Sequence, residues 1–90
     1  MKKIALYGIF NPVVVGMFRQ KLPKDFEVIE INSQDDFDKI KNVEFIVNRS
    51  FEINETVINH ASRLLLVQKW GAGYDKIDIK AAGKRGISVA

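Results

Sequence analysis

The sequence predicts an α/β protein with a doubly wound, parallel sheet of five strands. Three observations support this fold class: short apolar runs alternate with helical patterns, each helix stands between two strands, and the central strands are largely apolar on both faces. Strands joined by crossover helices run parallel, and right-handed crossovers place helices on both faces of the sheet. The 90 residues, 47% hydrophobic and 28% charged, suffice for one small globular domain.

The first strand and helix have clear boundaries. Residues 3–8 are mostly apolar and predict the first strand. Asn11 and Pro12 then favour a helix start, because asparagine is a good N-cap and proline fits the first turn. Apolar residues at a spacing of four give this helix a buried face, and Pro23 ends it.

The second and third strands differ in character. Residues 26–31 alternate apolar and acidic side chains, which is typical of a half-exposed edge strand. Ser33, followed three residues later by Asp36, predicts a capped helix start, and Phe37 and Ile40 give that helix a short apolar face. Residues 43–47 are apolar on both faces for most of their length and predict a central strand.

Two more helix–strand pairs complete the pattern. Asn54 predicts the N-cap of a third helix. Residues 64–68 follow that helix and form the most uniformly apolar of the predicted strands. Asp78 predicts the cap of a helix over residues 79–85, and residues 87–90 begin a fifth strand.

This order of elements predicts a flavodoxin-like sheet with strand order 2-1-3-4-5. In that topology a helix after strand 5 packs beside the first helix, but the sequence stops within or just after strand 5. We therefore expect a chain that lacks the final covering helix and is a piece of something longer. One face of strands 3 to 5 should then be uncovered, including Phe45, Val47, Leu64 and Leu66.

The stretch KWGAGYDKID, residues 69–78, raises the question of a dinucleotide-binding turn, because two glycines follow an apolar strand. The motif G-x-G-x-x-G requires a third glycine for close helix–strand packing, and Lys76 stands at that position. The loop also follows the fourth strand instead of the first. Phosphate binding by this loop is therefore disfavoured.

A different site is predicted where strands 3 and 4 end. Asn48, Arg49 and Ser50 follow strand 3, and residues 69–73 follow strand 4, so neighbouring strands should bring the two loops side by side. The cations of Arg49 and Lys69, the Ser50 hydroxyl and the backbone N–H groups of a glycine turn suit a small carboxylate. The alternative stays open that the glycines only make a turn and the cations are solvated.

Other chemistries have weak support. Because the chain has no cysteine, disulfides, thiolate zinc sites and a cysteine nucleophile are excluded, which fits a cytoplasmic location. The net charge of +3 is spread along the chain, so we expect no nucleic-acid partner, and no apolar run is long enough for a membrane span. His60, the only histidine, is interpreted as a surface helix residue, and no catalytic or metal-binding residue is assigned.

Residues 63–90 resemble a segment of the D-isomer-specific 2-hydroxyacid dehydrogenases. The family pattern is a strand, then G-x-G-x-D-x-I-D, then A-A and a basic residue before G-I-x-V. The matching positions here are Gly71, Gly73, Asp75, Ile77, Asp78, Ala81, Ala82, Arg85, Gly86, Ile87 and Val89. The segment FIVNRS, residues 45–50, also looks like the third strand and substrate-side loop of the family.

The resemblance implies that residues 1–90 are the N-terminal portion of a substrate domain, whose Rossmann NAD-binding domain is absent from this chain. By resemblance the parent enzyme exchanges hydride between NAD(H) and a small 2-hydroxy or 2-oxo acid. The family's catalytic histidine, arginine and glutamate and its dinucleotide glycines have no counterparts here, so the chain alone is expected to be inactive. Substrate-binding positions carried over by similarity are Arg49, Ser50, Lys69, Ala72 and Gly73.

A rival hypothesis is a stand-alone interaction module. An uncovered apolar sheet face would pair with a second copy or with a partner, since exposed apolar patches commonly mark interfaces. We therefore expect a homo-oligomer, such as a dimer, formed through that face.

Overall fold

The structure, a computed structural model, describes residues 1–71 and 76–90, apart from the Phe37 side chain. Five parallel strands form one sheet in the order β2-β1-β3-β4-β5, which confirms the predicted fold class and strand order. The elements are β1 (Lys2–Tyr7), α1 (Pro12–Lys21), β2 (Phe26–Ile31), a 3-10 helix (Phe37–Ile40), β3 (Phe45–Asn48), α2 (Glu55–His60), β4 (Leu66–Lys69), α3 (Ile79–Lys84) and β5 (Ser88–Val89).

Three of the predicted helix starts are capped as expected. The side-chain oxygens of Asn11, Asn54 and Asp78 accept hydrogen bonds of 2.8–3.0 Å from backbone N–H groups of the first turns of α1, α2 and α3. The predicted cap at Ser33 is wrong, because the short 3-10 helix follows Asp36 and no side chain caps it. Asp36 instead forms a salt bridge of 3.1 Å with Lys39.

The larger core lies on one face of the sheet. The 3-10 helix, α2 and α3 cover this face, and its fully buried side chains include Tyr7, Ile46 and Val67. On the opposite face, α1 covers only part of the sheet and packs Val15 against Ile4 and its neighbours. The two faces therefore carry different amounts of helical cover.

The face beside α1 is open over β3 and β4, as expected. Of the residues expected on it, Val47 and Leu64 are buried. Phe45 and Leu66 are half-buried along an apolar groove of about 330 Å³. Val47 lines the same groove yet is only 4% exposed, because it belongs to the apolar cluster that includes Val15 of α1. Leu64 belongs to the core on the other face, so its assignment to the open face is wrong.

The physical reason for the Leu64 error is the late start of β4. Regular pairing begins at Leu66, and the backbone N–H of Leu65 donates to the carbonyl oxygen of Glu44 at 2.8 Å. The backbone ahead of β4 is thus out of strand alternation, which turns Leu64 inward and leaves Leu65 58% exposed.

Candidate functional site

The candidate site lies at the carboxyl edge of the sheet, where ligands bind in folds of this class. Strand register places Asn48 between Tyr7 of β1 and Lys69 of β4. The N–H of Trp70 donates to the Asn48 carbonyl oxygen at 2.8 Å. The loops after β3 and β4 therefore start side by side, as the strand order predicted.

Further along, the same two connections meet again through backbone hydrogen bonds. Ile53 and Ile77 form an isolated parallel bridge. The N–H of Ile53 donates to the Lys76 carbonyl at 2.7 Å, and the N–H of Asp78 donates to the Ile53 carbonyl at 2.8 Å. Residues 49–53 are consequently tied at both ends to the neighbouring connection.

Arg49 is exposed, but its backbone and side chain are held against the end of β1. Its N–H donates to the Tyr7 carbonyl at 2.9 Å, and its Nη1 donates to the Ile9 carbonyl at 3.2 Å. Gly8, at φ +140°, lets the Arg49 backbone approach closely, because a Cβ on Gly8 would overlap the Arg49 carbonyl. Part of the guanidinium is thus used for orientation, and the remaining N–H groups are available to an anion.

Ser50 has the positive φ that marks this turn. Its φ of 71° makes it the only non-glycine residue with positive φ in the part of the chain that the structure describes. Such a conformation costs about 1–3 kcal/mol and persists only where the surroundings enforce it, typically at binding or catalytic sites. The residue was a candidate from sequence, whereas its conformation has no signal in the sequence.

Lys69 ends β4, and its neighbours set the far side of the site. Its side chain is half-buried, and its N–H donates to the Ala90 carbonyl at 2.9 Å beside β5. Gly71 has φ +103°, a conformation that favours glycine. The predicted contributors Ala72 and Gly73 lie outside the described residues, so their assignment stays a prediction.

Sequence reasoning missed a hydrogen-bonded network behind the site. The hydroxyl of Tyr7 donates to the carbonyl of Gln34 at 2.6 Å and accepts from Gln34 Nε2 at 2.8 Å. The Gln34 carboxamide also bonds both backbone polar groups of Glu52. Burial, followed by the charge of Asp35, raises the pKa of Tyr7 to about 12, so the phenol stays a neutral donor at physiological pH.

Asn48 is a polar residue that is buried in the core. It is only 6% exposed, and its Oδ1 is buried with no hydrogen-bond partner among the residues that the structure describes. A buried acceptor left unpaired costs about 1–3 kcal/mol, so such a group calls for a specific reason. The sequence predicts its place at the end of β3 but not its burial.

His60 does not lie at the carboxyl edge of the sheet. It is the last residue of α2, ahead of the amino end of β4, and its Nδ1 is 2.9 Å from the Thr56 carbonyl oxygen. Within residues 1–71 and 76–90, no group of three or more His, Cys, Asp or Glu side chains could hold a metal ion. No helix of those residues is long and apolar enough to cross a membrane.

Two curated relatives are named glyoxylate reductase, and glyoxylate is a 2-oxo acid. The chain is 36% identical over 75 residues to glyoxylate reductase from Pyrococcus furiosus, which covers 76% of this chain and 22% of that protein. It is 42% identical over 52 residues to glyoxylate reductase from Pyrococcus horikoshii, covering 57% of this chain and 16% of that protein.

Solved structures share the fold over nearly the whole chain. NAD⁺-bound 3-phosphoglycerate dehydrogenase from Entamoeba histolytica matches with a TM-score of 0.87 at 29% identity, covering 99% of this chain and 32% of that one. NADPH-dependent glyoxylate/hydroxypyruvate reductase from Sinorhizobium meliloti, in complex with citrate, matches with a TM-score of 0.78 at 25% identity, covering 98% and 27%.

The expected cofactor class is confirmed for the family, since the Entamoeba histolytica enzyme is described with NAD⁺ bound. The chain spans 22% of the length of the first curated relative and 32% of that solved relative. The catalytic-domain model of one family matches residues 4–90, almost the full chain. This chain therefore belongs to the D-isomer specific 2-hydroxyacid dehydrogenase family.

Proposed function

We propose that this chain supplies the carboxylate-binding side of the substrate cleft in an NAD-dependent 2-hydroxyacid dehydrogenase. The observation that carries the proposal is the Arg49–Ser50 turn, which lies beside Lys69 at the carboxyl edge of the sheet and in which Ser50 has a positive φ. Names of the curated relatives point to small 2-oxo acids such as glyoxylate as substrates.

The chemistry of these groups suits a carboxylate. A guanidinium donates charge-assisted hydrogen bonds in a planar fork that matches a carboxylate, and a serine hydroxyl adds a further donor. The ammonium group of Lys69 adds positive charge on the neighbouring strand. These residues bind and orient the acid, and Ala72 and Gly73 are proposed to add backbone N–H donors.

The reaction itself requires groups beyond this chain. NAD(H) supplies the hydride in this chemistry, and the sequence offers it no dinucleotide turn, because Lys76 replaces the third glycine of the motif. We therefore assign residues 1–90 to the N-terminal portion of the substrate domain, with the Rossmann NAD-binding domain outside it. The 90-residue chain alone is inactive under this proposal, and it resides in the cytoplasm.

Amide NMR of the purified chain tests the carboxylate site. Addition of glyoxylate should shift the backbone resonances of Ser50 and Lys69 in a saturable manner. Arg49→Gln should weaken binding about tenfold or more, because a charge-assisted hydrogen bond is lost. Arg63→Gln, an exposed arginine ahead of β4, is the matched control and should bind as the unchanged chain does.

Two results would contradict the proposal. An absence of saturable shifts at the Arg49–Ser50 turn would remove the binding site. Consumption of NADH by the purified chain with glyoxylate, followed by absorbance, would show that the chain is active without further domains.

A second function, self-association, has one specific observation in its favour. An apolar groove of about 340 Å³ runs along α1 beside the open sheet face, and Met17 and Trp70 on its walls are 47% and 45% exposed. A second copy would cover these side chains and form the expected homo-oligomer.

Light scattering over a concentration series separates this function from the first. Met17→Glu should return a dimer to a monomer, whereas Leu65→Glu should not, because Leu65 is exposed away from the groove lining. A monomer at every concentration would reject self-association and leave the carboxylate proposal intact.

A further inference from the structure

The carboxamide of Gln34 joins three separate parts of the chain. Its Nε2 donates to the Tyr7 hydroxyl at 2.8 Å and to the Glu52 carbonyl at 2.9 Å. Its Oε1 accepts from the Glu52 N–H at 2.6 Å. Gln34 thus pairs with the Glu52 backbone through both donor and acceptor, as a neighbouring strand would.

Tyr7 gives this arrangement a rigid support. The ring is fully buried at the end of β1, and its hydroxyl donates to the Gln34 carbonyl at 2.6 Å. The same ring packs edge-on against Phe51, with centroids 5.1 Å apart and planes at 83°. Tyr7 therefore contacts both Gln34 and the residue that follows Ser50.

Ser50 consequently lies between two fixed points. On its amino side, the Arg49 N–H bonds the Tyr7 carbonyl. On its carboxyl side, Phe51 packs on Tyr7 and Glu52 is paired with Gln34. A positive φ at a serine is held only where contacts over-determine it, and these contacts meet that condition.

We infer that Gln34 is a positioning residue for the carboxylate site, holding the Arg49–Ser50 turn in its binding conformation before the acid arrives. The inference rests on the proposed function. Because the turn is preset, binding does not have to order it, and affinity is gained through preorganisation. Gln34 itself touches no substrate, since it acts through Glu52 and Tyr7.

The test compares Gln34→Ala with Gln20→Ala, an exposed glutamine on α1. Glyoxylate binding followed by amide NMR should weaken about tenfold in Gln34→Ala, which loses its side-chain hydrogen bonds to Glu52 and Tyr7. Gln20→Ala should bind as the unchanged chain does. Gln34→Glu keeps the acceptor for the Glu52 N–H but sets a carboxylate oxygen against the Glu52 carbonyl, so it should weaken glyoxylate binding at least as much as Gln34→Ala. This variant also serves if Gln34→Ala does not fold.

A second readout requires no ligand. In the free protein, the Ser50 and Phe51 amide resonances should shift or broaden in Gln34→Ala, while those of Val67 and α3 stay in place. Unchanged Ser50 resonances, or unchanged glyoxylate affinity in a folded Gln34→Ala, would overturn the positioning role. Failure of the unchanged chain to bind glyoxylate would instead reject the proposed function, and the free-state resonances would still decide on Gln34.

Discussion

Replacing Gly8 by alanine should damage both stability and the candidate site. Gly8 has φ +140°, which L side chains rarely adopt, and it lies where β1 ends against the Arg49 backbone. A Cβ at this position would overlap the Arg49 carbonyl oxygen and stand 2.9 Å from the Arg49 carbonyl carbon. Both groups are backbone, so no side chain can rotate away to relieve the overlap.

The magnitude follows from two costs. Backbone strain at such a φ is about 1–3 kcal/mol, and displacing the packed Arg49 backbone adds a cost of similar size. We expect the free energy of unfolding to fall by about 2–6 kcal/mol, and each kcal/mol lowers the Tm of a domain this small by roughly 4–8 °C. Urea unfolding followed by circular dichroism measures the change.

Gly16 provides the matched control. It lies within α1, has no positive φ, and a Cβ there would meet nothing within 4 Å. Gly16→Ala should therefore raise stability by about 0.5–1 kcal/mol, since alanine is the better helix former. A Gly8→Ala protein as stable as Gly16→Ala would refute the reasoning about the Gly8–Arg49 approach.

Three further changes have defined outcomes. The pKa of Tyr7 is raised from 10.0 to about 12, so the folded protein keeps the neutral phenol and loses stability as the pH rises between these values. The stability advantage of the wild type over Tyr7→Phe should therefore decrease across that pH window, and a constant difference would contradict the shift. Asn48→Leu removes an acceptor that has no partner in residues 1–71 and 76–90 and should stabilise the fold by about 1 kcal/mol in urea unfolding, whereas a loss of stability would contradict the unpaired state. Arg85→Ala should destabilise by about 1 kcal/mol, because the guanidinium donates to the Ile58 and Ala61 carbonyls, and Lys84→Ala should change little.

Much of the architecture could be predicted from local patterns. Alternation of strand and helix runs predicts the parallel sheet, and the predicted N-caps Asn11, Asn54 and Asp78 are confirmed because capping depends on residues within one turn. The candidate cluster of Arg49, Ser50 and Lys69 followed from strand order alone, since neighbouring parallel strands end at one edge.

The short elements were harder to predict. The second helix is a single 3-10 turn, and β5 has only two residues, Ser88 and Val89. Leu64 was assigned to the wrong face, because strand alternation holds only where the ladder is regular, and regular pairing starts at Leu66.

By itself, the sequence determined the fold class, the strand order, most caps and the residue types at the carboxyl edge, since these depend on periodicity and on near neighbours. Only the tertiary structure decided how that edge is held. Gln34 meets Tyr7 across 27 positions and Glu52 across 18, and no local pattern encodes such pairs. Those distant contacts hold Ser50 at φ 71°, because an unfavourable backbone conformation needs support from several directions at once.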